Sequence, residues 1–209
     1  MVTLLGGGEL TARTVSELLT VAPNLVVCDG AAALALELGL TPARVVGDLD
    51  SLDATTRARL DPATLHEIAE QDSTDFDKAL RTIEAPLVLG AGFMGRRLDH
   101  ELACYNALVR HADRPCILVG EHDICFHAPG SLRLDLAPGS RVSLFPMAEV
   151  AVSTRGLEWE LDRLRLAPWG RVGTSNRAKA GPVEIAPEGP GLLVILPRAG
   201  LSAAIAALR

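Results

Sequence analysis

From Val2 to Val119, short apolar runs alternate with longer amphipathic stretches. The runs Val2–Leu5, Leu25–Cys28, Arg44–Val46, Leu65–Ala69, Pro86–Leu89 and Pro115–Val119 have the length and composition of buried strands. Between them, Thr11–Leu19, Ala31–Leu38, Asp53–Leu60, Thr74–Ile83 and Leu98–His111 carry apolar residues at helical spacing. Thr74 is placed to cap its helix, with Asp77 in the matching capping-box position. This alternation predicts a mostly parallel sheet covered by helices. Ligands of such sheets gather beyond the carboxyl ends of the strands.

The pattern changes near Gly120–His122. Helical periodicity stops, and strand-like runs follow at Ile124–His127, Ser131–Leu136, Arg141–Phe145, Val150–Thr154, Val183–Ala186 and Leu192–Pro197. Pro/Gly turns at Pro129-Gly130, Pro138-Gly139, Gly181-Pro182 and Gly189-Pro190 punctuate them. An antiparallel β domain, a small sandwich, is expected. The predicted architecture is therefore an α/β domain over residues 1–121 followed by a β-sandwich domain over 122–209.

Composition adds limits. At 209 residues the chain can bury a sizeable core, built from Leu, Val, Ala and Ile because aromatics are only 3%. A net charge of −6 argues against nucleic-acid or anionic-membrane partners. Cys28, Cys104, Cys116 and Cys125 form no C-x-x-C pair and read as reduced, mostly buried thiols. Met1–Leu5 lacks the basic flank of a signal peptide, and Glu37 interrupts the apolar run Ala31–Leu40. A cytoplasmic protein is expected.

Candidate chemistry collects at the predicted strand ends: Gly6–Gly8, Asp29-Gly30, Gly47–Asp50 and Gly90–Gly92. In Val45–Ser51, Asp48 and Asp50 stand at alternate positions, which in an extended segment face the same side. Adjacent carboxylates repel unless a cation lies between them or one holds a proton. Mg²⁺ takes oxygen ligands and is commonly held by one or two carboxylates plus substrate phosphates. The competing reading is a turn, with Asp50-Ser51 capping the next helix. A second cluster places Asp72 before a helix, Asp75 in its first turn and Lys78 on the same face. The helix dipole accounts for Asp77 and for part of Asp75. A phosphate site also accounts for Lys78. In the third cluster, Gly90-Ala91-Gly92 leads to Arg97, Asp99 and His100 at the start of the long helix. Glycines there let backbone N–H groups approach phosphates, and Arg97 can fork onto phosphate oxygens. A flexible loop with a charged helix start is the plainer alternative, and His100 can be a surface histidine.

Together, Gly47-Asp48-Leu49-Asp50-Ser51, Asp72-x-x-Asp75-x-x-Lys78 and Gly95-x-Arg97-x-Asp99-His100 resemble the thiamine pyrophosphokinase (thiamine diphosphokinase) family in order and spacing. Asp29-Gly30-Ala31 resembles its Asp-Gly-Gly/Ala segment, Thr154–Trp159 its Thr-x-Gly-Leu-x-Trp stretch, and Thr174-Ser175-Asn176 its Ser-Asn motif. The resemblance spans nearly the whole chain. It implies an α/β ATP-binding domain followed by a thiamine-binding β-sandwich, in a homodimer with the thiamine pocket at the interface. The activity implied is transfer of a diphosphate unit from ATP to the thiamine hydroxyl, giving thiamine diphosphate and AMP. By position, Asp48, Asp50, Asp72 and Asp75 would form the Mg²⁺ and phosphate centre. Lys78, Arg97 and Asp99 would hold or polarise the phosphates. Asp29, Gly30, Gly90, Gly92 and His100 would border the nucleotide, and Trp159, Ser175 and Asn176 the thiamine. Four places depart from the family pattern: Glu9 after the first glycines, Ala31-Ala32, the bulky Phe93-Met94, and Glu160 after Trp159.

The residues suit such a transfer. Charge builds on phosphoryl oxygens and on the departing oxygen of AMP, so positioning and electrostatics dominate. The hydroxyl needs a carboxylate to take its proton, with Asp99 and Asp75 the candidates. Trp159 can stack on a ring of thiamine for roughly 0.5–2 kcal/mol, or be a core aromatic of the β domain. Two other classes stay open. A Mg²⁺-dependent phosphohydrolase using Asp48 and Asp50 leaves Asp72, Asp75, Lys78 and the β domain unused. A non-catalytic thiamine or nucleotide binder has no need of four mutually repelling aspartates.

Overall fold

The predicted alternation of strand and helix is realised in β1 (Val2–Leu5), α1 (Ala12–Val21), β2 (Asn24–Cys28), α2 (Ala32–Glu37), β3 (Arg44–Gly47), α3 (Ala54–Arg59), β4 (Leu65–Glu67), α4 (Asp75–Thr82), β5 (Val88–Ala91), α5 (Leu98–Arg110) and β6 (Cys116–Val119). The computed structural model describes residues 1–209 and divides into two units. The first comprises Met1–Ala107 with Leu118–Glu121, the second Leu108–Ile117 with His122–Arg209.

In the first unit the strands lie in the order β6-β5-β1-β2-β3-β4. The pairs β5-β1, β1-β2, β2-β3 and β3-β4 are all parallel. Both faces are apolar, as helix-covered parallel strands require. Leu4, Leu5, Val27, Val45, Val46, Leu87 and Leu89 are fully buried. Each such side chain contributes about 1.5–3 kcal/mol. The chain runs outward from β1 to β4, then returns to β1's other side as β5. That reversal opens a crevice between the carboxyl ends of β1 and β5.

Helix starts follow the chemistry of the caps. Thr11 accepts from the Thr14 amide, and Thr74 from the Asp77 amide, as predicted for Thr74. Ser51 is not a cap. Its hydroxyl donates to Asp50, and Asp53 caps α3 by accepting from the Thr55 and Thr56 amides and the Thr56 hydroxyl. A carboxylate meets three donors there, more than a serine could. β5 also runs further than expected, through Gly90 and Ala91, because both pair with Leu4 and Leu5 of β1. No helix is long and apolar enough to cross a membrane.

The second unit contains β7 (Asp123–Ala128), β8 (Leu132–Leu134), β9 (Arg141–Pro146), β10 (Val150–Arg155), β11 (Leu164–Leu166), β12 (Gly173–Arg177), β13 (Val183–Pro187), β14 (Leu192–Pro197) and the terminal α6 (Leu201–Ala207). Its strands form the antiparallel orders β12-β9-β14-β7 and β11-β10-β13-β8. In β10, Val150, Val152 and Thr154 are buried while Ala151 and Ser153 are half-buried, the alternation of a one-sided sheet. The sandwich is therefore present. β11, β12 and α6 were not among the predicted elements. All four cysteines are buried, and none forms a disulfide.

Candidate active site

The acidic turn begins where β3 ends. Leu49 has φ +62°, so Asp48-Leu49-Asp50 is not extended. The two carboxylates still converge, because the chain folds back and the Asp50 amide donates to Asp48 Oδ1 at 3.3 Å. Asp29, at the carboxyl end of β2, joins them. Carboxylate oxygens of Asp29, Asp48 and Asp50 lie within 4.8 Å of one another. Asp29 is buried and accepts from the Leu49 amide at 2.8 Å and the Gly30 amide at 2.6 Å. The first of these bonds holds Leu49 in its left-handed conformation, which leucine avoids. Gly47 makes the approach possible: a Cβ there would sit 2.6 Å from the Asp29 carboxyl.

Burial, with the nearby charges of Asp75 and Asp48, pushes the Asp29 carboxyl up to about 6. The Lys78 ammonium holds Asp48 down at about 2. Lys78 is 1% exposed and bridges Asp48 Oδ2 at 3.1 Å and Asp75 Oδ1 at 3.3 Å. Burial works against its charge, but the two carboxylates outweigh that and keep it above its ordinary value. The helical spacing of Asp75 and Lys78 and the turn after β3 thus meet in one ion-pair network. Gln71 donates to Asp48 Oδ2 at 3.2 Å. Asp72 is exposed and is not one of the three converging carboxylates.

Beside the acids is a cavity of about 280 Å³ at the β1/β5 crevice. It is lined by Gly6–Gly8, Gly30, Gly92, Gly95, Thr74, Asp75, Arg96, Arg97 and His100, and by apolar walls from Phe76, Phe93, Cys28 and Cys104. The first glycine turn is tied to the end of β5: Gly6 N donates to Ala91 O and Gly8 N to Gly92 O, both at 2.8 Å. Bulky Phe93 is accommodated against Phe76, ring centroids 4.7 Å apart, because Gly6 and Gly90 present no Cβ to it. Arg97 pairs with Asp99 at 2.8 Å, both side chains exposed, and this pairing lowers the Asp99 carboxyl. Gly90 is buried in β5 and does not line the cavity, and neither does Asp99. Sequence reasoning missed Arg96, Phe76 and Thr74 as lining residues. Proximity to Arg97, Asp75 and the helix start was the available signal.

The thiamine-motif residues lie in the second unit. Asn176 is 7% exposed; its Oδ1 accepts from the Trp159 amide at 3.2 Å and its Nδ2 donates to the Trp159 carbonyl at 2.7 Å. Trp159 itself is 56% exposed, so it is not a core aromatic. Ser175 has φ +63° where β12 bulges against β9, and its amide donates to Ser143. Glu160, one of the unusual positions, closes the turn by accepting from the Gly156 amide at 2.9 Å and from the Thr154 hydroxyl at 3.3 Å.

The arrangement offers oxygen ligands for a hard cation, a buried ammonium beside them, and a glycine-walled cavity. The thiamin pyrophosphokinase catalytic-domain model matches residues 15–119, and the vitamin B1 binding-domain model of the same enzyme matches 131–189. Thiamine pyrophosphokinase 1 of Arabidopsis thaliana is 26% identical over 190 residues, covering 81% of this chain and 71% of that protein. Its namesake in Oryza sativa subsp. japonica is 28% identical over 163 residues, 69% of this chain and 62% of the relative. The fold matches thiamine pyrophosphokinase from Bacillus subtilis (TM-score 0.75, 19% identity, 94% of this chain and 97% of that one). It also matches thiamin pyrophosphokinase from Candida albicans (TM-score 0.77, 15% identity, 94% and 90%).

Proposed function

The chain belongs to the thiamin pyrophosphokinase family, and on that premise we propose that it transfers a diphosphate group from ATP to the hydroxyl of thiamine, releasing AMP. The observation that carries this reading is the meeting of Asp29, Asp48 and Asp50 with buried Lys78 beside the glycine-walled cavity. A hydrolase needs only the first part of that set.

The donors fit Mg²⁺. They are all carboxylate oxygens, they converge, and buried Asp29 lacks a cationic partner, so a cation would relieve its raised pKa. Asp29, Asp48 and Asp50 would hold the ion, with Asp75 and Asp72 completing the acidic centre toward the phosphates. When bound, Mg²⁺ supplies positive charge to phosphate oxygens. The chain's own groups do the rest. The glycine wall, which has no side chains to fill the space, and the first turns of α4 and α5 orient the triphosphate in the cavity. Lys78 and Arg97 stabilise charge developing on the transferred group and on the oxygen of AMP. Asp75 is the better candidate to take the hydroxyl proton. It lines the cavity, whereas Asp99 does not and is made less basic by Arg97. In the second unit, Asn176 fixes the backbone of exposed Trp159, whose ring stacks on thiamine, a cation that favours aromatic faces.

We assign the N-terminal domain, residues 1–121, to ATP and the C-terminal domain, 122–209, to thiamine. A cytoplasmic enzyme is proposed, supported by four cysteines of which none forms a disulfide. It is taken to be a homodimer, with the exposed Trp159 and Trp169 suited to burial against thiamine and a second copy. Incubation with ATP, Mg²⁺ and thiamine, followed by chromatography, is expected to give AMP and thiamine diphosphate in equal amounts. Inorganic phosphate released without thiamine would point to a hydrolase, and thiamine binding without AMP to a mere binder.

A further inference from the structure

Three cationic side chains stand at the strand-end site, and two of them are ion-paired within the chain. Lys78 lies between Asp48 and Asp75, and Arg97 pairs with Asp99. Arg96 lines the same cavity, and no carboxylate pairs with it. Its side chain makes one hydrogen bond, from Nη1 to the Gly7 carbonyl at 3.1 Å. That bond ties the Gly92–Arg97 loop after β5 to the Gly6–Gly8 turn after β1. A guanidinium carries five N–H donors in a fork that matches phosphate oxygens. One donor meets Gly7, and the others remain for a ligand.

The backbone supports the same conclusion. Arg96 has φ +51°, and it is the one non-glycine residue of the cavity wall in the left-handed region. Arginine is disfavoured there, and such strain collects where a side chain must be aimed at a ligand. A glycine would hold the turn without strain but would bring no charge.

We propose that Arg96 is a specificity residue for the nucleotide: its guanidinium binds the polyphosphate tail and makes the chain favour a nucleoside triphosphate over a monophosphate. This rests on the diphosphotransferase reading, in which the triphosphate is substrate and the monophosphate is the product that must leave. A cation at the cavity wall without an ion-pair partner gains more from a tail of several charges than from one phosphate. Lys78 is shared with Asp48 and Asp75, so Arg96 adds positive charge for the tail beyond what Lys78 brings.

The test is calorimetric binding of ATP and of AMP to the full chain with Mg²⁺ and without thiamine, for the unmodified protein, Arg96→Gly and Arg96→Lys. Arg96→Gly is expected to weaken ATP binding by about ten- to a hundredfold and AMP binding by much less. It should melt no lower than the unmodified chain, since glycine accepts the left-handed turn. Arg96→Lys, which keeps the charge and loses the fork, should fall between. The Michaelis constant for ATP should rise in proportion while that for thiamine stays level. Unchanged ATP affinity in Arg96→Gly overturns the proposal, as does an equal loss for ATP and AMP, which would make Arg96 a loop-shaping residue only. An unmodified chain that prefers ATP through Arg96 yet makes no AMP from ATP and thiamine overturns the diphosphotransferase reading and leaves the selectivity standing.

Discussion

Lys78 orders the acidic turn. Fully buried and held between two carboxylates, it draws Asp48 toward α4 and keeps that carboxylate ionised far below neutral pH. Asp48→Asn keeps the shape and an acceptor for Lys78 but removes the charge. It is expected to cost at least about a hundredfold in turnover, with a stability loss on the order of 1 kcal/mol. Parallel activity and thermal-melt measurements check this. A variant that unfolds while keeping full activity per folded molecule would make Asp48 structural. Asp48, Asp50, Asp75 and Lys78 were legible because their relations are local: two positions in a turn, three in a helix. Asp29's part in the cluster was not. It depends on a contact twenty residues away in sequence, admitted only because Gly47 has no Cβ. Convergence of Asp48 and Asp50 was expected from an extended segment, yet it arises from the left-handed Leu49, a conformation no leucine announces.

At the scale of elements, strand ends carry the site, and small changes there have large reach. Gly47→Ala would press a methyl into the Asp29 carboxyl and release Leu49 from its hydrogen bond. A loss of about 1–3 kcal/mol is expected in denaturant titration, together with reduced activity. Gly30→Ala, whose Cβ would meet nothing within 4 Å, should be close to neutral in stability and serves as its control. In the second unit, β7 is joined to the residue before β14 by a titratable contact: His127 Nε2 accepts from the Gly191 amide at 3.1 Å. Burial lowers the His127 pKa, so the folded state prefers the neutral ring. Its contribution is complete above the unfolded value of about 6.5 and is lost as pH falls through that value toward the folded one. Thermal melts from about pH 7 to pH 5 should therefore fall more steeply for the unmodified chain than for His127→Gln. Equal slopes would show that His127 does not titrate on unfolding. Strong apolar runs and the Thr74 cap made most elements readable. β11 and β12 were not, because one is three residues long and the other, Gly173–Arg177, is an edge strand of polar residues. α6 is only seven residues, too short for periodicity to mark.

For the whole molecule, the change of pattern near Gly120 announced two kinds of architecture, and the structure contains both. One unit is a parallel sheet with glycine turns at its strand ends, and the other is a pair of antiparallel sheets carrying the exposed Trp159. What the pattern of residues could not supply is the substrate. That comes from the ordered motifs and from the family models matching each part of the chain. The central claim is that one diphosphate unit moves intact from ATP to thiamine. The most direct measurement follows ATP labelled separately at the β- and γ-phosphorus, with Mg²⁺ and thiamine present. The account predicts that both labels enter thiamine diphosphate one to one and that unlabelled AMP is released only when thiamine is present. Label appearing as inorganic phosphate without thiamine, or transfer of the γ-label alone, would contradict it.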